Sequence, residues 1–95
     1  MIIFNTTLHI DDSVHDECIE YLKTVYIPKA LLSNLIESPS LSRIEKQYED
    51  SGVSYALQFK AESKDILNKW AEVTGEILQQ ELVDKYGQKV TGFVT

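Results

Sequence analysis

The sequence predicts an α+β fold of the ferredoxin-like class, in which a four-stranded, antiparallel-containing sheet carries two helices on one face. Three observations lead to this prediction. Two segments alternate apolar and polar residues, two longer segments repeat apolar residues at helical spacing, and the elements follow the order β-α-β-β-α-β. The length of 95 residues, with 43% hydrophobic and 25% charged residues, fits a single domain over residues 1–95.

Four strands are predicted, and the alternation is clearest over residues 2–10 and 53–61. Residues 42–50 carry several charges and are predicted as an exposed edge strand, and residues 89–95 as a short last strand. Asp50-Ser51-Gly52 fits a tight turn between the second and third strands. Right-handed crossovers place the first and third strands side by side in the centre of the sheet, where we expect them to run parallel.

The first helix is predicted to begin at Asp11-Asp12-Ser13, whose side chains accept hydrogen bonds from the free N–H groups of a helix start. Pro28 lacks an N–H and clashes with the preceding turn, so this helix is expected to end or kink near Ile27. Residues 29–36 then fit a short second helical piece, and Ser38-Pro39-Ser40 has the composition of a loop.

The second helix is predicted to start at Ser63 and to stop between Lys85 and Gly87, because serine caps helix N-termini and glycine follows C-termini. Gly75 in its interior costs about 1 kcal/mol relative to alanine, which indicates close packing or a local bend. Its apolar stripe, which is expected to face the sheet, consists of Ile66, Trp70, Val73 and Ile77.

The candidate site is the sheet face that the helices leave open. Its floor is predicted to hold side chains of the first and third strands, namely Asn5, Thr7, His9, Ala56 and Gln58. Tyr48 or Phe93 is expected to flank this floor from an edge strand. An uncharged polar floor with one imidazole suits a small polar ligand, and it also suits a polar interface between two copies. Because a chain this short buries only about two thirds of its surface on folding, a homodimer through this face is expected.

Charge balance and cysteine content exclude several classes of protein. Fifteen acidic against nine basic residues give a net charge of −6 and leave no basic stripe for nucleic acid or an anionic membrane. A lone Cys18 excludes an internal disulfide. No apolar run reaches the roughly 20 residues of a membrane span, and the N-terminus does not resemble a signal peptide. A reducing, cytoplasmic setting without cofactor or metal is therefore expected.

Three further groups have both a chemical and a structural interpretation. Cys18 has His15 one turn earlier, at the spacing of a thiol and its base, but its apolar stripe favours an inert, buried thiol. Trp70 lies on a helix stripe, which favours core packing over cofactor stacking. The third group is an acidic cluster that consists of Asp11, Asp12, His15 and Asp16. These residue types suit a metal ion, but helix capping explains them without one.

Three short motifs stand out: Met1-Ile2-Ile3-Phe4-Asn5-Thr6-Thr7, Ile27-Pro28 and Tyr86-Gly87-Gln88-Lys89-Val90. They resemble the bacterial family of domain of unknown function 4286, and the resemblance covers nearly the whole chain. It implies a dimeric α/β barrel, in which two sheets pack face to face, and it brings no established activity. Family members often carry histidine before the Ile-Pro pair, where this chain has Tyr26.

The resemblance also implies a broader superfamily of dimeric α/β barrels, the antibiotic-biosynthesis-monooxygenase-like proteins. That superfamily includes cofactor-independent monooxygenases and haem-degrading enzymes, and the latter place an Asn, a Trp and a His around the porphyrin. This chain has Asn5 and Trp70, but both of its histidines precede residue 16. The resemblance to the haem-degrading branch is therefore incomplete, and fold alone does not supply a function.

Three functional hypotheses follow, because no motif dictates a reaction. The first is a homodimeric ligand-binding or interaction module. The second is a cofactor-independent, monooxygenase-type enzyme acting on a small polar or aromatic substrate, with His9 as base and Asn5 and Gln58 orienting a carbonyl or enolate oxygen. The third is a structural subunit whose open sheet face docks a different protein.

Overall fold

In the computed structural model, which describes residues 1–44 and 52–94, one antiparallel sheet forms the centre of the fold. Its strands are β1 (Ile2–Ile10), β2 (Glu37–Ile44), β3 (Val53–Ala61) and β4 (Val90–Val94). The spatial order is β2-β3-β1-β4, and every neighbouring pair is antiparallel. This arrangement confirms the predicted α+β, ferredoxin-like class.

Helix α1 joins β1 to β2 in four consecutive segments: a 3₁₀ turn (Asp12–Val14), an α-helix (His15–Tyr21), a π-helical turn (Leu22–Tyr26) and an α-helix (Ile27–Leu31). Helix α2 joins β3 to β4 and consists of an α-helix (Lys64–Trp70), a π-helical turn (Ala71–Gly75) and an α-helix (Glu76–Tyr86). A 3₁₀ turn (Gly87–Lys89) leads into β4. Each helix therefore contains a π turn near its middle.

Both helix starts follow the sequence prediction. Asp11 accepts a hydrogen bond from the backbone N–H of Ser13 at 2.9 Å, and Ser63 accepts one from the N–H of Ile66 at 3.2 Å. The second helix ends as predicted at Gly87, whose φ of 57° is a left-handed conformation that favours glycine. β1 and β3 also cover the residues that the alternation predicted.

The second strand differs from its prediction over residues 42–50. It begins at Glu37, so Ser38-Pro39-Ser40 lies in a strand instead of a loop. Its register shifts between Glu37 and Ser40, and this irregularity at the sheet edge accommodates a proline. Residues 45–51, which carry the predicted edge charges and most of the predicted turn, lie outside the described residues. The last strand begins at Val90, one residue later than predicted.

Pro28 was predicted to end or kink the first helix near Ile27, and the helix does not end there. The helix continues to Leu31, and residues 32–36 form turns and bends instead of a second helical piece. The N–H of Ile27 bonds to the carbonyl of Leu22, five residues back, so the π turn directly precedes the proline. Pro28 then lies in the first turn of the next α-helical segment, where a missing N–H is tolerated.

The π turn of α2 changes which residues face the sheet. Val73 and Ile77, which were predicted for the core stripe, are 54% and 57% exposed. A π turn holds more residues than an α turn, so the helix after it is rotated relative to an uninterrupted 3.6-residue repeat. The buried positions that follow Trp70 are therefore Leu78, Leu82 and Tyr86.

The hydrophobic core lies between the two helices and one face of the sheet. From the helices it receives Cys18, Leu22, Trp70 and Leu78 among others. From β1 and β3 it receives alternate residues that are each at most 3% exposed: Leu8, Ile10, Leu57, Phe59 and Ala61. Both helices pack on this covered face and leave the opposite face, which we call the open face, without a helix of the described residues against it.

Candidate functional site

The open face carries the polar floor that the sequence predicted. Three cross-strand pairs of β1 and β3 build it: Asn5 with Gln58, Thr7 with Ala56, and His9 with Ser54. Side chains alternate along a strand, so these pairs point away from the helix-covered residues between them. Aspartate, glutamate, lysine and arginine are absent from these three pairs, which contain one imidazole, that of His9.

The edge strands widen this floor. β2 contributes Ser40 and Ser42, which lie beside β3, and β4 contributes Thr91, which lies beside β1. Phe93, one of the two predicted flanking residues, pairs with Thr7 in the register of β1 and β4. Tyr48, the other one, lies outside the described residues.

The sequence prediction that the two central strands run parallel is wrong. β1 and β3 are antiparallel, as are all other neighbouring strands of the sheet. The antiparallel register sets Ser54 directly opposite His9, which a parallel arrangement does not. Ser54 is 1% exposed, so a buried hydroxyl that the sequence did not single out belongs to the site.

The His9 imidazole is held by two neighbours. Its Nδ1 lies 3.1 Å from the Ser54 hydroxyl, within hydrogen-bond distance. Its Nε2 faces Gly52, where a Cβ would lie 2.5 Å from this nitrogen. Gly52 also has a φ of 77°, a conformation that favours glycine, and its N–H donates to Asp12 at 3.2 Å. The glycine therefore leaves the room in which the ring lies.

The floor separates the residues of the hypothesised enzyme within one copy. Asn5 and Gln58 are direct neighbours across the strands, whereas His9 lies four residues further along β1, about 13 Å away at strand spacing. One copy thus offers a pair of amides at one end and an imidazole with a hydroxyl at the other. Amides both donate and accept hydrogen bonds, so the first end suits a polar ligand better than a charged one.

A second imidazole lies on the covered side of the sheet. His15 Nδ1 is 2.9 Å from the carboxylate of Asp16, and Nε2 is 2.8 Å from the hydroxyl of Tyr55. A carboxylate only accepts, so Nδ1 donates to Asp16, while Nε2 shares a hydrogen bond with the Tyr55 hydroxyl. The two rings also stack with centroids 5.7 Å apart. Tyr55 was predicted for the core face, and its polar end is the part that sequence periodicity did not reveal.

The acidic cluster at the start of α1 acts as a set of caps. The Ser13 hydroxyl and N–H both bond to Asp11 and hold the pKa of its carboxyl below the usual range. Asp12 accepts from the N–H of Gly52, and Asp16 bonds to His15. Within residues 1–44 and 52–94, no three His, Cys, Asp or Glu side chains are grouped as metal ligands. The cluster thus ties the helix start to β3.

Cys18 and Trp70 lie in the core. Cys18 is fully buried, and this burial raises the pKa of its thiol to about 11, so the thiolate is scarce at neutral pH. His15, its hypothesised base, bonds to Asp16 and Tyr55 instead. Trp70 is 2% exposed, and its indole N–H donates to the Ala30 carbonyl at 2.9 Å, which matches the predicted packing role.

Comparison with known proteins identifies the family. The chain matches the family described as Domain of unknown function (DUF4286) over residues 1–95, and it belongs to that family. Neither the curated proteins nor the solved structures that were searched gave a match. In the described ranges, the helices lack the combination of length and apolar character that crossing a bilayer requires.

Proposed function

We propose that this member of the family is a homodimeric ligand-binding module, in which the open faces of two copies enclose a chamber for a small polar ligand. The observation that carries the proposal is the contrast between the two sides of one sheet. Both helices cover one side, and no helix of residues 1–44 and 52–94 packs on the other, whose central pairs carry no formal charges. The dimeric α/β barrel that the sequence resembles has this arrangement of two facing sheets.

Charge favours a second copy as the occupant of the open face. The chain has a net charge of −6, so two copies repel each other over most of their surfaces. The central pairs of the floor carry no like charges that would oppose each other. A copy that approaches through the open face therefore meets less repulsion than one that approaches through the acidic start of α1.

The size of the open face also fits a dimer. At the spacings of residues and strands, the four strands present on the order of 500 Å² per copy. Two copies would then bury about 1,000 Å², which reaches the lower bound for a biological interface. A short chain gains much of its missing burial in this way.

The floor defines the class of ligand. Asn5 and Gln58 offer adjacent amide donors and acceptors, and His9 adds an imidazole that can give or take a proton. These groups recognise a small molecule with several hydrogen-bonding atoms and little net charge. The enzyme hypothesis has less support, because its base lies about 13 Å from its two amides within one copy. The buried, unpaired Cys18 is in keeping with a reducing, cytoplasmic setting.

Light scattering tests the dimer. At micromolar concentration we expect the mass of two 10.8 kDa chains for the unmodified protein. Thr7→Lys, which sets a charge at the centre of the floor, should shift the mass to that of one chain. Thr24→Lys, a matched change at an exposed position of α1, should leave the dimer intact. A single-chain mass for the unmodified protein, or equal behaviour of the two variants, would refute the proposal.

A crystal structure of the dimer tests the ligand. We expect density that the chain does not account for beside Asn5 and Gln58, between the two sheets. A chamber filled by side chains of the two copies would leave the dimer standing and remove the ligand-binding role. Co-purification with a different protein seated on the open face would instead support the structural-subunit hypothesis.

A further inference from the structure

A second cleft lies on the covered side of the sheet, between β1 and helix α2. Its volume is about 280 Å³, slightly below the usual range for drug-sized pockets, so its occupant must be small. We call it the aromatic cleft because it is lined by Phe4, Tyr26, Trp70 and the neighbouring residues Thr6, Ala71, Gly75, Glu76, Gln79 and Gln80. It shares no lining residue with the polar floor.

The π turns of both helices meet at this cleft. Tyr26 is the last residue of the π turn in α1, and Ala71 and Gly75 are the first and last residues of the π turn in α2. Single π turns inside α-helices are frequent at functional sites. Gly75 is also needed here, because a Cβ at this position would lie 2.8 Å from the Trp70 ring. The irregular parts of both helices thus border one space.

Of the three aromatic side chains, Phe4 is partly exposed, whereas Tyr26 and Trp70 are 8% and 2% exposed and show only a small part of their rings to the cleft. The Trp70 indole N–H is bonded to the Ala30 carbonyl, so only carbon atoms of this ring remain for a ligand. Phe4 and Trp70 meet at 61° with centroids 5.9 Å apart, which forms a corner. Burial raises the pKa of Tyr26 to about 12, so its phenol is neutral at physiological pH. The exposed part of Phe4 at this corner suits a cation placed against aromatic carbon.

The charge around the cleft has one sign. Glu76 is the charged residue of the lining, and Lys, Arg and His are absent from that lining. Two other helix carboxylates are paired with lysines, Glu81 with Lys29 at 3.1 Å and Glu17 with Lys85 at 3.5 Å. Within the described ranges, no ion pair includes Glu76. A negative group beside three rings, on a chain of charge −6, attracts a cation.

We propose that the aromatic cleft binds a small organic cation of the alkylammonium class. Its alkyl groups lie against the partly exposed ring of Phe4 and the small exposed parts of Tyr26 and Trp70, and the Glu76 carboxylate balances its charge. A metal ion is a poorer fit, since the lining offers one carboxylate and aromatic carbon rather than several converging oxygens. This site is independent of the proposed dimer, because it lies on the opposite side of the sheet from the open face.

The single tryptophan makes the proposal directly testable. Trp70 is the only tryptophan in the chain, so its fluorescence and its indole N–H resonance in NMR report on this cleft. The probes are choline and 3,3-dimethylbutan-1-ol, which have the same shape and differ in the charge of the central atom. We expect choline to give a saturable change, and the neutral alcohol to bind about tenfold more weakly or not at all.

Matched variants separate the site from general electrostatics. Glu76→Gln should weaken choline binding by about threefold to tenfold, whereas Glu72→Gln, an exposed change of equal charge outside the lining, should leave it unchanged. Phe4→Leu should weaken binding while circular dichroism confirms the fold. Thr7→Lys should not alter it, which separates this test from that of the dimer. Equal binding of both probes, equal effects of both glutamate variants, or no saturable change in either signal would overturn the proposal.

Discussion

The same strands build both faces of the sheet, yet the two faces differ in the burial and polarity of their side chains. On β3, Leu57 and Phe59 are 1% exposed in the core, while Gln58 between them is exposed on the open face. Consecutive residues of a strand thus point to opposite faces, one into the core and the next away from it. The covered face forms the core on which folding depends, and the open face carries the contacts that we propose for a second copy and a ligand.

The largest expected effect is that of a substitution in the core on the covered face. Phe59→Ala removes a fully buried ring that packs near Trp70, and we expect the free energy of unfolding to fall by about 3–5 kcal/mol. Gln58→Ala, one residue away, should change it by less than about 1 kcal/mol, because the side chain is exposed. Urea unfolding followed by Trp70 fluorescence measures both. Similar losses for the two variants would contradict the assignment of the faces.

The next effect concerns the open face at Gly52. Gly52→Ala places a Cβ 2.5 Å from His9 Nε2 and 2.8 Å from the Ile10 carbonyl, at a φ of 77°. We expect a loss of about 1–3 kcal/mol and a shift of the His9 ring resonances in NMR. Gly87→Ala is the matched control, since its φ is also positive but nothing lies within 4 Å of the added Cβ. The idea fails if both variants lose equal stability and His9 does not move.

A smaller effect tests a buried polar group on the covered side. Within the described residues, the buried hydroxyl of Tyr86 has no hydrogen-bond partner, and burial raises its pKa to about 12. Tyr86→Phe should therefore leave stability at neutral pH unchanged or raise it by up to about 1 kcal/mol. Tyr55→Phe, which removes the hydrogen bond to His15, should lower stability by about 1 kcal/mol.

The pH dependence of Tyr86→Phe gives a further readout. The folded state holds the Tyr86 proton above the ordinary pKa of 10.0, so the unfolded state ionises first as pH rises. Stability is therefore lost between about pH 10 and pH 12, and the phenylalanine variant should lose less of it. Urea unfolding at pH 8 and pH 11 compares the two proteins. Equal losses for both would show that this phenol does not contribute.

The smallest expected effect is that of a surface ion pair. Lys29 and Glu81 lie 3.1 Å apart, but both side chains are more than a third exposed. Glu81→Gln should cost less than about 1 kcal/mol, and high salt should remove most of this difference. A double-mutant cycle with Lys29→Met measures the pair itself. A coupling that is large and independent of salt would contradict a solvent-screened interaction.

Sequence periodicity predicted the strands well and the helix faces less well. Residues 53–61 alternate with period 2, and the strand covers those residues because alternation matches one covered and one open face. The helices follow 3.6-residue spacing only up to their π turns. Val73 and Ile77 were therefore expected inside but are exposed, because the position of a π turn depends on packing rather than on a sequence repeat.

The side chains that share the open face could be predicted from the sequence, but their hydrogen-bond partners could not. Alternation placed Asn5, Thr7 and His9 on one face, which the register confirms. Ser54 was not found, because its contact with His9 depends on strand direction, and local sequence does not encode direction. The second strand was misplaced for a similar reason, since Pro39 is typical of loops and enters a strand through an edge irregularity.

Exposed apolar residues on the helices provide the strongest rival to the open face as a contact surface. Leu32, Val73 and Ile77 are all more than half exposed and line a groove of about 440 Å³ between the helices. A dimer formed there would leave the polar floor in solvent. A test of the proposed dimer must therefore identify which of these two surfaces is in contact, in addition to measuring the mass of the assembly.

Intermolecular nuclear Overhauser effects in a mixed-labelled sample make this distinction most directly. One half of the copies carries labelled methyl groups and the other half does not, so each cross-peak reports a contact between two copies. A dimer through the open face gives cross-peaks to the methyl groups of Thr7 and Ala56. Cross-peaks confined to Leu32, Val73 and Ile77, or none at all, would contradict it.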